Sequence, residues 1–133
     1  MDRKQELDRV FSLYIRLRDA NDCGQIRCIS CGRLMPFSAF DCGHYFSRYN
    51  TSTRWNEDNC HAECVRCNRM DTNHLEGYRE NIIMKIGARR FRELESLHRE
   101  MMLESDIDFD ALIEKYKREA RRLSKLKGIK ITI

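Results

Sequence analysis

Two cysteine pairs, Cys28-Ile-Ser-Cys31 and Cys64-Val-Arg-Cys67, stand 32 residues apart, and around them lie Asp41-Cys-Gly-His44, Asn59-Cys-His61 and Asn68. Two residues between thiolates let both sulfurs turn toward one ion, and two such knuckles complete a tetrahedral sulfur site. Gly32, directly after Cys31, suits the tight turn of a knuckle. The spacing therefore predicts a structural zinc on Cys28, Cys31, Cys64 and Cys67, the first pair on a hairpin and the second opening a helix. A redox C-x-x-C would not require two pairs, and seven cysteines, an odd number, argue against a complete disulfide framework. Cys23, Cys42 and Cys60 read as buried thiols. A second zinc site from Cys42, His44, Cys60 and His61 is the weaker reading, because such short spacings chelate poorly.

Outward from this module the pattern is helical. Leu7, Val10, Phe11, Tyr14 and Leu17 recur at helical intervals, with Arg9, Arg16 and Arg18 between them. Residues 26–56 lack that period and predict short strands and loops. From about Cys64 a helix resumes, with Leu75, Tyr78, Ile82, Ile83 and Ile86 as its stripe and Gly87 as its cap. Phe91, Leu94 and Leu97 continue in another helix. Asp106 or Asp108 caps a last one carrying Phe109, Leu112, Ile113, Tyr116, Ala120 and Leu123. The closing GIKITI alternates, as a strand or a frayed end would.

The layout is an N-terminal amphipathic helix (1–22), a zinc-containing core (23–90) and C-terminal helices (91–133). With 41% hydrophobic and 35% charged residues among 133, the chain has neither a disordered nor a collagenous composition. Mean hydropathy is −0.68. No apolar run reaches the roughly 20 residues that span a bilayer. The N-terminus carries acids where a signal peptide would be apolar. Membrane insertion and secretion are therefore not expected, and paired cysteines in a reducing compartment point to metal.

Asp41, His44, Asn59, His61 and Asn68 crowd a module too small to bury them all. Asp and Asn oxygens suit Mg²⁺ or Mn²⁺, and an imidazole such as His44 suits proton abstraction from water near neutral pH. The bland alternatives are His44 as a zinc ligand, His61 as a structural residue, and the two asparagines as turn caps. His74 and His98 read as surface or packing residues.

The order C-x2-C, D-x-G-H, N-x-H-x2-C-x2-C-N, with DCGHYFSR and NCHAECVRCN, resembles the NinG (Rap) recombination endonucleases of lambdoid bacteriophages, in the HNH or ββα-metal nuclease superfamily. The resemblance implies an α+β, mostly helical chain, in which α-helices flank a zinc-stabilised, treble-clef-like ββα-metal core. It implies a metal-dependent DNA endonuclease that cuts branched recombination intermediates such as Holliday junctions and D-loops, as a homodimer in the bacterial host cytoplasm. By that likeness His44 is the general base and Asn59 orients it. Asn68 holds a catalytic Mg²⁺ or Mn²⁺, with Asp41 and His61 as further ligands. One departure is Gly43, where many HNH enzymes place a metal-binding residue. Asp41 and His44 would also point to opposite faces of a regular strand.

Arg48, Arg54, Arg66, Arg69 and Arg79, interleaved with Tyr45, Tyr49 and Trp55, fit phosphate contact and stacking on unpaired bases. Residues 91–110 carry a net charge of −5 and residues 111–133 one of +6. Lys115, Lys117, Arg118, Arg121, Arg122, Lys125 and Lys127 thus read as a DNA-binding arm. The alternative class is a zinc-dependent DNA-binding or recombination-mediator module without catalysis. The N-terminal helix is one candidate dimer interface.

Overall fold

The first helix begins at a capping box: Asp2 accepts the Gln5 N–H at 2.7 Å while the Gln5 side chain accepts the Asp2 N–H at 3.2 Å. In the computed structural model, which describes residues 1–133, α1 spans Arg3–Asp19. It buries more than one stripe. Leu7, Val10, Phe11 and Ile15 pack with Trp55, Cys60, Ile113 and Tyr116, while Leu13 and Leu17 pack with Ala120 and Leu123. A helix covered on several sides is a central rod rather than a surface helix.

The long C-terminal helix, α6 (Phe109–Lys127), supplies much of that cover. Asp108 caps it by accepting the Ala111 N–H, and Gly128 ends it at φ 67°. It runs parallel to α1: Arg3 pairs with Asp110 near the starts, and Lys127 Nζ donates to the Leu17 and Ala20 carbonyls near the ends. The ammonium thus sits at the carboxyl end of α1, where a cation is favoured and where the Leu17 carbonyl otherwise accepts only the Ala20 N–H at 3.3 Å. The expected basic arm is therefore one face of a packed helix. Ile113, Tyr116, Ala120 and Leu123 are core residues, and Lys127 is a helix cap. The apolar stripe of α1 is likewise filled within the chain, so it is not a free dimer face. Ile129, Ile131 and Ile133 pack beside Leu13 and Leu17 without forming a strand.

Two small antiparallel sheets complete the core. β1 (Gln25–Arg27) pairs with β2 (Leu34–Pro36), and β3 (Phe40–His44) pairs with β4 (Cys60–Cys64). In the second sheet Asp41 faces Glu63, Gly43 faces His61 and His44 faces Cys60. The connection between these strands contains the short α2 (Thr51–Arg54). β4 runs directly into α3 (Val65–Arg69), and a turn separates that helix from α4 (His74–Ile86). Gly87, at φ 87°, ends α4 and precedes α5 (Ala88–His98). Tyr78, Ile82, Ile86, Phe91 and Leu94 cluster with Ile29, whereas Leu75 faces solvent. The architecture is mixed α+β and mostly helical. No helix is long and apolar enough to cross a membrane.

Candidate functional site

The β1–β2 turn brings Cys28 and Cys31 against Cys64, at the end of β4, and Cys67 on α3. The Gly32 N–H donates to the Cys28 carbonyl and the Cys28 N–H to the Arg33 carbonyl, both at 2.9 Å, and Gly32 sits at φ 77°. The four sulfurs lie within 4.8 Å of one another, and the Cys64 N–H donates to Cys28 Sγ at 3.2 Å. This donor set fits a tetrahedral ion such as zinc. The three remaining cysteines differ: Cys60 is buried as expected, Cys42 is half-buried, and Cys23 is exposed.

Next to this cluster is a cleft of about 320 Å³, lined by Asp41, Cys42 and His44 of β3, Asn68 and Arg69 of α3, and Arg48, with Asp8, Phe11 and Ser12 of α1 opposite. β3 has a partner on one edge only, and the cleft is lined by Asp41 together with Cys42 and His44, residues of both strand faces. That resolves the parity difficulty of Asp41 and His44. Asp41 accepts Asn68 Nδ2 at 3.0 Å and Arg69 at 2.8 and 2.9 Å. Burial works against its charge, but the hydrogen bonds from Arg69 and Asn68 hold its carboxyl below the ordinary value.

His44 Nε2 lies 3.0 Å from the Arg54 carbonyl. A carbonyl only accepts, so Nε2 carries the proton and Nδ1 the lone pair. Burial pushes the His44 pKa down, the charges of Arg48 and Arg54 add to that, and the carbonyl hydrogen bond opposes it. The imidazole is thus neutral near pH 7. Asn59 holds the loop that supplies this carbonyl. Its Oδ1 accepts the Phe46 N–H at 2.8 Å, and its Nδ2 donates to the Phe46 and Thr53 carbonyls at 3.0 and 3.1 Å. It does not itself line the cleft.

His61 is not brought to this group. It lines a separate cavity with Arg18, Glu57, Asp58, Lys85 and Arg90. Its Nε2 donates to the Asp58 carbonyl at 2.8 Å and its Nδ1 accepts from Arg18 at 3.0 Å, leaving no lone pair for a metal. Burial, then the Lys85 and Arg18 charges, push its pKa down to about 3.

His74 takes a place near the cleft that spacing did not foretell. It lines the adjoining part of the cleft with Cys42, His44, Ser47, Arg48 and Asn68. Its Nδ1 lies 2.6 Å from Glu63, a fully buried carboxylate that also accepts Ser30 Oγ at 2.5 Å. Gly43 explains itself here, because a Cβ at that position would meet Glu63 Oε1 at 2.5 Å.

The basic and aromatic residues divide. Arg54 is buried, donating to Asp8 at 2.5 and 3.1 Å, and the buried Trp55 donates to the same carboxylate at 2.9 Å. Neither is available to DNA, which corrects both expectations. Tyr45 packs among Phe46, Tyr78 and Phe91, whereas Tyr49 is 88% exposed. Arg48, Arg66, Arg69 and Arg79 are exposed, as are Arg118, Arg121, Arg122 and Lys125 on α6. Lys115 and Lys117 stand 3.8 Å from Glu57 and 3.6 Å from Glu6.

Comparison with known proteins gives one consistent grouping. The family model described as Bacteriophage Lambda NinG protein matches residues 2–127. Protein ninG of Escherichia phage lambda is 35% identical over 95 residues, covering 71% of this chain and 44% of that protein. Protein ninG of Salmonella phage P22 is 33% identical over 96 residues, covering 71% of this chain and 45% of that protein. The aligned part thus spans less than half the length of these relatives. No solved structure matches the chain significantly. A family match running from α1 to the end of α6 leaves one assignment: the chain belongs to the NinG family.

Proposed function

We propose that the chain is an HNH-type, metal-dependent endonuclease that hydrolyses DNA phosphodiesters in branched recombination intermediates. The observation that carries this reading is the meeting of Asp41, His44 and Asn68 in one cleft. The β3, β4, α3 order, with a cysteine pair at the strand–helix junction, supports a zinc-stabilised ββα-metal core. His44 Nδ1 takes a proton from water as the water oxygen attacks phosphorus and the P–O bond to the leaving oxygen breaks. Asp41 and Asn68 oxygens would hold Mg²⁺ or Mn²⁺, whose charge stabilises the transition state. Arg69, whose side chain is 63% exposed, can swing from Asp41 to a phosphate without disturbing the core. Arg48 lines the cleft for phosphate contact, and the exposed Tyr49 beside it in sequence offers a stacking surface. Paired incision of a four-way junction requires two sites, so we read the acting form as a homodimer.

The test is a labelled four-way junction and a linear duplex, each with and without Mg²⁺ or Mn²⁺. Metal-dependent cutting of the junction is expected, and His44→Ala should cut roughly 100-fold more slowly with zinc content and junction affinity unchanged. Binding without cutting by the unmodified protein would leave a DNA-binding module. Normal cutting by His44→Ala would remove the general-base assignment.

A further inference from the structure

We propose a second metal site, formed by Cys42, His44 and Cys60, that takes a thiophilic divalent cation such as zinc. The three ligand atoms lie within 4.8 Å of one another, and both thiols are free. The C-x-H spacing that suits a knuckle poorly suits a strand well. Residues two apart share one face, so Cys42 and His44 stand side by side on β3. Cys60 is the register partner of His44 on β4 and lies on that same face. The strand ladder, rather than a turn, converges the donors.

Two thiolates and one imidazole are the donor set of open zinc sites, which leave a fourth position for water or substrate. Cys42 and His44 line the cleft, so that position faces it. Sulfurs sharing a tetrahedral zinc stand roughly 3.8 Å apart, a spacing that side-chain rotation can reach from donors already this close. Binding replaces two S–H bonds with two metal–sulfur bonds and releases two protons to solvent. His44 keeps Nε2–H on the Arg54 carbonyl, the outer hydrogen bond that metal-bound histidines use, and its Nδ1 lone pair binds the ion. The ion and a proton from water compete for that lone pair, so an occupied site silences the base. This consequence rests on the catalytic reading of His44, whereas the site itself does not.

The test uses the full chain carrying one zinc on its four cysteines, titrated with Co²⁺ without DNA. A thiolate-to-cobalt charge-transfer band is expected while zinc stays at one per chain, and Cys42→Ala should lose the band. Failure of the unmodified protein to develop it overturns the proposal, as does an unchanged band in Cys42→Ala. A band that grows only as zinc leaves belongs to the four-cysteine site and counts against it. Cobalt taken up without the band sits on oxygen donors such as Asp41 and also counts against it. None of these results depends on DNA cleavage, so each reading can fail alone.

Discussion

Asp8→Ala should be among the most damaging single substitutions outside the cysteines. The Asp8 carboxylate accepts from Arg54, Trp55 and Arg48, fastening α1 to the β3–β4 connection. Arg54 is 8% exposed and Asp8 26%. Removing one partner of a buried ion pair costs ~3–5 kcal/mol, because the remaining charge is stranded. Partial exposure of Asp8, and a third Arg54 hydrogen bond, to the Arg48 carbonyl at 3.1 Å, place the loss at the lower end. We expect a loss of ~3 kcal/mol, which lowers Tm by roughly 10 °C for a chain of this size. Urea unfolding at fixed zinc, followed by circular dichroism and Trp55 fluorescence, measures it. Asp8→Ala combined with Arg54→Met should regain part of the loss, since the stranded charge is gone. A loss below ~1 kcal/mol would refute the clamp. So would a double variant less stable than the single one.

Chelating the zinc, or Cys64→Ser, should unfold the region around β1, β2 and α3, seen as loss of amide protection there; retained protection would contradict metal-coupled folding. Asp19, bound to Arg18, Lys85 and the Ala62 N–H, has its pKa lowered to about 2. Its folded pKa lies below the unfolded value of 3.8, so it stabilises above pH 4 and that contribution vanishes as pH falls toward 2. Asp19→Asn should cost ~2 kcal/mol at pH 7 and the gap to the unmodified protein should close across that window, measured by denaturation at each pH. Because α6 is core, its basic face is best tested by replacing Arg118, Arg121 and Lys125 with Gln together. Binding should weaken and its log–log salt slope flatten, and an equal slope would remove this face from the DNA interface.

What was legible in the sequence was what local spacing encodes. The four cysteines converge because two-residue knuckles fix their own geometry, and the helices follow their apolar period and their caps at Asp108 and Gly87. Contacts set by distant segments were not legible. Arg54 and Trp55 look like surface residues until Asp8, on another element, supplies their partner. His61 and His74 exchanged expected places because strand register turns His61 toward Arg18, while a turn after α3 swings His74 back to Glu63. No pattern of residue types near His74 announces that return. The Cys42-x-His44 pair lies on a strand, where residues two apart share a face, a geometry that spacing alone does not reveal.

The parallel seating of α6 on α1 also constrains the order in which the protein assembles. Lys127 closes on the Ala20 carbonyl across a separation of 107 residues, so this contact waits until the whole intervening segment has emerged. Until then Leu13 and Leu17 lack the cover that Ala120 and Leu123 provide. A nascent chain therefore exposes a sticky helix until α6 has emerged, a state prone to aggregation or to capture by chaperones. Contacts this far apart in sequence also slow folding, because the intervening loop must close before they form. Joining the two helices by circular permutation would make the pairing local and should hasten refolding, even with every native contact retained.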